Sequence, residues 1–529
     1  MNLTDRRTAI KEGKTALGIE FGSTRIKGVL ISYDGTPLAS GEFEWESTLF
    51  EGLWTYPLEL VHKGMRECYK SLADNAYKKY GAYITEIGSI GISAMMHGYL
   101  PFDGNGNLLV PFRTWKNTNT KQAASELTEL FNFNIPQRWS IAHLYQAILN
   151  CEDHVKNISF LTTLAGYVHR RLTGRRVLGV GDASGMFPID SSGSSYNAAM
   201  LDKFNALIEK KGYSWNIKDI LPEILSAGED AGRLTEEGAL MLDPSGKLKP
   251  GSLLCPPEGD AGTGMVATNS VLPNTGNISA GTSVFTMTVL NKELSGVYKE
   301  IDAVTTPSGL PVAMVHCNNC TSDINAWADM LCEAIDCFGV KCSRSDVLDK
   351  IFKTADTKSA DTESIITHNY YSGEPIIGLE NGVPLMIRRP GSNFHFSDLA
   401  VSLLYTAIAT IKMGMDILFE KENIVIERLT GHGGYFKTSH TGQKIAASAF
   451  NTPVAVTETA GESGAWGIAL LAAFSKNRDK ETLAEYLNSK IFGKSRISII
   501  DPDPKISEKF NSYCNRFKNT LLIQRYISW

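Results

Sequence analysis

The sequence predicts an α/β protein of two similar domains facing each other across a cleft. Three observations carry that prediction. The chain has 529 residues, too many for one hydrophobic core. A plan of three strands, a helix, a strand and a helix (βββαβα) starts at Ala16 and starts again at Thr275. Each copy opens with a strand that breaks at a short turn of small residues, Phe21-Gly22-Ser23-Thr24-Arg25 in the first and Ala280-Gly281-Thr282-Ser283 in the second. Clefts between two such halves are where ligands bind.

Residues 1–14 are polar and charged and read as a frayed lead-in. Strands are predicted over Ala16–Glu20, Ile26–Ser32 and Pro37–Trp45, joined by tight Gly turns into a meander. Leu53–Tyr77 carries apolar residues at helical spacing, and Ile84–Ile92 reads as a strand. Asp103-Gly104-Asn105-Gly106-Asn107 is a turn between extended pieces. Thr120–Gly174 is mostly helical, with a long segment around Ile158–Leu172; Gly179–Asp190 is predicted as a polar loop and Ser191–Ser195 as a surface connection. A helix over Leu201–Lys210 and an irregular stretch over Leu221–Glu229 follow, and Leu253–Thr268 closes the first half. The second half has strands at Thr275–Ala280, Ser283–Leu290 and Pro311–His316, then helices at Asp323–Phe338 and Ser397–Lys421. It ends with a strand Ile424–Leu429 running into Thr430-Gly431-His432-Gly433-Gly434, a helix Gln443–Phe450, a strand Val454–Thr457 and a helix Gly464–Phe474. The domains are accordingly 1–271 and 272–529.

Hydrophobic residues make up 43% and charged residues 21% of the chain, the balance of a soluble globular protein. A net charge of −5 gives no electrostatic footprint for nucleic acid or an anionic membrane. Nine cysteines, an odd number thinly spread, fit a reducing compartment better than a disulfide framework. The N-terminus has no apolar signal region, and no run approaches the roughly 18 apolar residues of a membrane span. A cytoplasmic protein is expected. Cys317-Asn318-Asn319-Cys320 has metal-type spacing, but no second such pair completes a zinc site. Neither a P-loop nor a dinucleotide-binding glycine fingerprint follows a strand.

The chemistry concentrates at two places. Leu254-Cys255-Pro256-Pro257-Glu258-Gly259-Asp260-Ala261-Gly262 sets an aspartate at the start of a small-residue helix. Asp260 there fits either a helix N-cap or a proton acceptor. The turns at Gly22 and Gly281 leave backbone N–H groups on one side with little side chain in the way, which suits a polyphosphate. The hydroxyls of Ser23 and Thr24 add donors. A carboxylate facing a phosphate cradle is what phosphoryl transfer to a hydroxyl needs.

With these residues in place, the chain resembles the FGGY family of carbohydrate kinases, within the actin-like ATPase superfamily, over most of its length. Gly18-Ile19-Glu20-Phe21-Gly22-Ser23-Thr24-Arg25-Ile26-Lys27 resembles the first phosphate loop, and Gly91-Ile92-Ser93-Ala94-Met95-Met96-His97-Gly98 the sugar-binding stretch of xylulose kinases. Gly259–Gly262 resembles the catalytic-base motif and Gly281-Thr282-Ser283 the second phosphate loop. Gly431–Lys437 resembles the adenosine segment, and Glu462-Ser463-Gly464-Ala465-Trp466-Gly467 the helix that closes that domain.

The resemblance implies two actin-like (ribonuclease H-like) domains. It implies ATP-dependent phosphorylation of a primary hydroxyl on a small sugar, above all a ketopentose such as D-xylulose or L-ribulose. Asp260 would be the general base, with Met96, His97, Trp115 and Asn117 at the sugar. Gly22, Ser23, Thr24, Lys27, Gly281, Thr282, Gly433, Gly434 and Lys437 would meet ATP, and Glu20 would hold Mg2+ through water. Three positions depart from the pattern: Glu20 and Asn117 stand where the family has Asp, and Met95 where xylulose kinases have Gln. Asn donates and accepts hydrogen bonds where an ionised Asp only accepts, which bears on the hydroxyl stereochemistry preferred. Closure of the domains around both substrates is expected. Two other classes stay open: a weakly catalytic or non-catalytic sugar-binding regulator, and an actin-like ATPase acting on a protein partner. No nucleic acid or membrane partner is expected, and the resemblance leaves a homodimer open.

Overall fold

The structure is a computed structural model and describes residues 3–527 apart from 357–360, 393, 438, 458–463 and 494–495. Two mixed sheets organise it. In the first, the order runs Leu253–Leu254, Ser89–Ala94, Thr15–Phe21, Arg25–Ser32, Pro37–Glu44, with Glu258–Gly259 also pairing to Ser89–Ala94. In the second it runs Asp302–Thr305, Pro311–Cys317, Val284–Val289, Thr275–Ala280, Arg428–His432, Val454–Thr457, Ile497–Ile500. The duplication is visible in the pairing. Thr15–Phe21 is antiparallel to Arg25–Ser32 and parallel to Ser89–Ala94. Thr275–Ala280 is likewise antiparallel to Val284–Val289 and parallel to Arg428–His432.

Both opening strands are largely buried on both faces. On the first sheet, the helix Leu58–Tyr80 buries Val61, Met65, Cys68, Leu72 and Ala76, one stripe at helical spacing, and ends at Gly81 in the left-handed region. The core of the second half is built round Phe396–Asp416, sixteen of whose residues are buried. With its continuation to Lys421 this helix is long and apolar enough to cross a membrane, yet it is 78% buried inside the protein. It is a core helix.

A third apolar cluster joins the halves and contains Ala465–Phe474, Met265 and Met287. The helix Gly464–Phe474, whose first residues belong to the motif likened to the closing helix of the nucleotide domain, packs on Thr15–Phe21 and on the helix Asp260–Ala267. A Cβ on Gly18 would fall 2.0 Å from the Ala465 carbonyl oxygen, so the close approach requires glycine there. The Trp466 indole N–H donates to Gly35 O at 2.9 Å. Glu462 and Ser463 of that motif lie outside the described residues.

Other differences have local causes. Leu3–Lys11 is a helix because Ala9 and Ile10 bury against the first core. Gly179–Asp190 is a loop only from Ser184 onward: Val177–Gly179 is a strand and Val180–Ala183 a buried helical turn, polar in sequence because its carboxyl is buried with partners. The helix drawn around Ile158–Leu172 starts only at Leu164, after a short strand Phe160–Thr162. The strand placed at Ile424–Leu429 is Arg428–His432, and the one at Ile84–Ile92 is Ser89–Ala94. Leu53–Thr55 forms a hairpin with Thr48–Phe50 before the helix Leu58–Tyr80 begins. The strand Asp302–Thr305 was not among those expected. This edge strand docks on the first half, where Thr305 donates to Ser184 Oγ and to Val180 O, both at 3.1 Å. All nine cysteines are free.

Candidate active site

The two small-residue turns are built alike. In the first, Gly22 N–H closes the turn onto Arg25 O at 3.0 Å. Its carbonyls are held from behind: Trp45 Nε1 donates to Gly22 O at 2.7 Å and the Tyr56 hydroxyl to Ser23 O at 2.6 Å. In the second, Gly281 N–H bonds Ser283 O at 2.9 Å, Thr321 N–H and hydroxyl both donate to Gly281 O, and Cys320 N–H donates to Thr282 O. With the carbonyls anchored, the N–H groups of Ser23, Thr24, Thr282 and Ser283 have no protein acceptor among the described residues. Thr24 and Thr282 are exposed, and nothing lies within 4 Å of the position of a Gly281 Cβ. Such N–H clusters are anion sites.

Gly433 takes a φ of 95°, and a Cβ there would fall 2.4 Å from Ala280 O. This close approach brings the Gly434–Lys437 turn alongside the strand that leads into the second small-residue turn. Gly434 and Lys437 are exposed. Lys27 pairs across the strands with Glu20, so the two side chains share a face.

Asp260 begins its helix; Gly259 is the N-cap, and no side chain caps the end. The N-cap alternative is therefore not adopted. Asp260 Oδ1 instead accepts Met96 N–H at 3.2 Å, which ties it to the segment bearing His97. The side chain is half-buried. Burial, and then the charge of Glu20, push its carboxyl up to about 7. Glu20 sits where three elements meet: Ala465 N–H donates to its Oε2 at 3.3 Å, and the position of a Gly464 Cβ lies 2.4 Å from Glu20 Oε1 and 2.7 Å from Thr263 Oγ1. Among the described residues no group of three or more His, Cys, Asp or Glu is arranged to hold a metal ion. A pair of interacting carboxylates beside open N–H turns does fit Mg2+, which keeps several waters and takes one or two carboxylates with phosphate oxygens.

On the other side of Asp260, His97 is buried in the left-handed region at φ 68°, a strained position for a non-glycine residue. Its Nδ1 meets Gly185 O at 3.2 Å. A carbonyl only accepts, so Nδ1 is the donor and Nε2 is an acceptor. The ring stacks on Trp139 with centroids 6.2 Å apart. Burial, then the Arg138 charge, hold the imidazole well below its ordinary range, so it is neutral. Met96 is buried, and its Cγ lies 2.1 Å from where a Gly259 Cβ would be. Trp115 is half-buried against the first core. Asn117 is buried with its amide engaged: Oδ1 accepts Trp54 N–H at 2.8 Å, and Nδ2 donates to Trp54 O at 2.9 Å and Thr114 O at 3.1 Å. In this arrangement Asn117 clamps the hairpin Thr48–Thr55.

Sequence inspection missed two acids behind the base. Glu258, fully buried, accepts the N–H groups of Gly181 at 3.3 Å and Asp182 at 2.9 Å. Asp182 accepts the Thr163 hydroxyl at 2.6 Å, and its Oδ1 has no partner among the described residues. Burial pushes Asp182 up to about 7, with Asp260 adding to it, and Glu258 up to about 8, with Asp182 adding to it. The only signal was the acid directly before Gly259-Asp260. Separately, a cavity of about 380 Å³ between the halves is lined by Phe133, Asn134, Ser184, Tyr298 and Val304 and contains none of these site residues.

Two facing α/β halves, a turn with open N–H groups on each and a carboxylate between them fit a two-domain phosphotransferase. Residues 15–244 match the N-terminal domain of the FGGY family of carbohydrate kinases, and residues 276–475 match its C-terminal domain. The chain belongs to the FGGY family of carbohydrate kinases and is a sugar kinase. It is 21% identical over 374 residues to a xylulose kinase from Haemophilus influenzae, covering 68% of this chain and 69% of that one. The fold superposes on a xylulose kinase from Lactobacillus acidophilus with a TM-score of 0.79 at 16% identity, covering 97% of this chain and all of that one. A gluconate kinase from Lactobacillus acidophilus superposes with a TM-score of 0.77 at 16% identity, covering 96% and 97%. At these identities the superpositions establish the fold and not the acceptor.

Proposed function

We propose that this kinase transfers the γ-phosphoryl group of ATP to the primary hydroxyl of a ketopentose such as D-xylulose or L-ribulose, with Asp260 as general base. The observation that carries the proposal is the placement of Asp260. Met96 N–H fixes its carboxylate, and the same segment presents the neutral ring of His97. A carboxyl pushed up to about 7 is matched to proton transfer near neutral pH.

In this mechanism the turns at Gly22–Thr24 and Gly281–Ser283 hold the phosphates through backbone N–H groups, Lys27 adds a positive charge, and the Gly433–Lys437 segment lines the adenosine. His97 Nε2 accepts a hydrogen bond from an acceptor hydroxyl while Met96 and Trp115 form apolar wall. Asn117 acts by fixing the hairpin beside them. Asp260 takes the proton of the primary hydroxyl as its oxygen attacks the γ-phosphorus; the bond to the bridging oxygen breaks and ADP leaves. Glu20 would hold the Mg2+ that accompanies ATP, and that ion would supply neutralisation of the phosphate charge. Such transfer depends on positioning and electrostatics, which accounts for the backbone-built turns. Domains cut at 271 and 272, with the helix Gly464–Phe474 returning to the first sheet, would close over the substrates, in the cytoplasm where ATP is available. The xylulose kinase relatives support the ketopentose.

ADP release with Mg-ATP against a panel of ketoses, polyols and aldonates tests this. A ketopentose giving the largest response is the expected result. A response to aldonate alone would replace the acceptor class. Silence across the panel with ATP still bound would favour a sugar-binding regulator.

A further inference from the structure

The second sheet turns one face toward the first half of the molecule. Phe285 pairs with His316, Met287 with Met314 and Val289 with Val312; residues two apart along a strand, and their partners, share a face. Met287, Met314, Val289 and Val312 are buried in the cluster that joins the halves. His316 ends this row. The next pair, Val284 with Cys317, borders the turn Gly281–Ser283. His316 therefore stands at the cleft end of the sheet, beside the second anion-binding turn.

The facing wall comes from the first half. Arg138 forms an ion pair with Asp302, and Asp302 is the cross-strand partner of Met314, two residues from His316. Trp139, next in the chain to Arg138, carries the stacked ring of His97. This places His316 within electrostatic reach of both Arg138 and His97. Burial, then Arg138, lower His316 to about 3, so it too is neutral. His316 is half-buried, and neither ring nitrogen has a protein partner among the described residues. Two neutral imidazoles, one from each half, thus border the same space. A neutral imidazole offers one donor and one acceptor. The cation facing both rings, Arg138, is already matched by Asp302.

We propose that His316 is a specificity-determining residue of the acceptor site: from the second half, it hydrogen-bonds a hydroxyl of a neutral polyhydroxyl acceptor held on the other side by His97. The inference rests on the kinase function proposed above. It assigns a ketose or polyol in preference to an aldonate, because the wall offers paired charge and neutral rings. It also makes the acceptor a bridge between the halves.

The test compares wild type, His316→Ala and His316→Gln with the panel acceptor that wild type uses best, measuring KM for acceptor and for ATP, with thermal melting as the check on folding. Loss of one neutral hydrogen bond raises the acceptor KM of His316→Ala about 5- to 10-fold. The ATP KM stays within about twofold. His316→Gln, which keeps a donor and an acceptor, recovers most of the loss and serves as the folded probe if the alanine variant is unstable. An unchanged acceptor KM in a folded variant, or a change confined to the ATP KM, overturns the inference while leaving the kinase proposal standing. If wild type phosphorylates no acceptor on the panel, both fall together.

Discussion

The proposed phosphate side and the proposed acceptor side of this cleft present different groups. At Gly22–Thr24 and Gly281–Ser283 the free donors are backbone N–H groups, released because the neighbouring carbonyls are held by Trp45 and Tyr56 in one turn and by Cys320 and Thr321 in the other. Around the proposed acceptor position the free polar groups are on side chains: His97, whose Nε2 accepts once Nδ1–H is held by Gly185 O and the ring lies on Trp139, and His316, near the Arg138–Asp302 pair. Backbone donors tolerate many sequences as long as the turn survives. Side-chain groups specify one ligand and change with each substitution. In the proposed mechanism Asp260 serves both sides, which makes it the point where they can be separated by experiment.

Asp260→Asn should break the comparison at its centre. Both sides should still bind, while acceptor-dependent ADP release falls about 10²- to 10⁴-fold. Gly281→Val puts a branched side chain into the open space at the second turn. It should raise the ATP KM about tenfold or more and leave acceptor affinity near wild type, measured by steady-state kinetics in both substrates. Trp139→Ala removes the surface beneath His97 and a fully buried side chain. The opposite pattern is expected, a raised acceptor KM, together with a stability loss of about 3–5 kcal/mol seen in denaturant unfolding. Asn117→Asp restores the acid of the family pattern but sets a carboxylate against the Trp54 and Thr114 carbonyls. A loss of about 1–3 kcal/mol is expected, read as a lowered Tm. A gain in turnover without loss of Tm would show that Asn117 faces the acceptor instead.

The phosphate side was legible in the sequence because its signal is local. A strand ending in Gly-Ser-Thr or Gly-Thr-Ser, and an Asp before a small-residue helix, announce themselves within a few residues. The proposed acceptor side was legible at Met96, His97 and Trp115. Arg138, Trp139, Asp182 and His316 come from segments without a motif and meet only when the halves pack. Glu258 adjoins the base motif, but its bonds run to Gly181 and Asp182, 77 and 76 residues away. The stretch Gly179–Asp190 looked like a polar loop because sequence polarity cannot show that a carboxyl is buried with a partner. Asn117 illustrates the converse: its position matched a sugar-binding pattern, while its amide is engaged with the Trp54 backbone.

The pH dependence of wild-type kcat/KM for the acceptor tests the central claim most directly. The base must be ionised to take the proton, and burial with Glu20 pushes Asp260 up to about 7. The account predicts a rate that rises with pH through a midpoint near 7 and then levels. A limb centred near the usual carboxylate value of about 4, or a rate flat through the neutral range, would contradict the assignment of Asp260 as the base that joins the two sides.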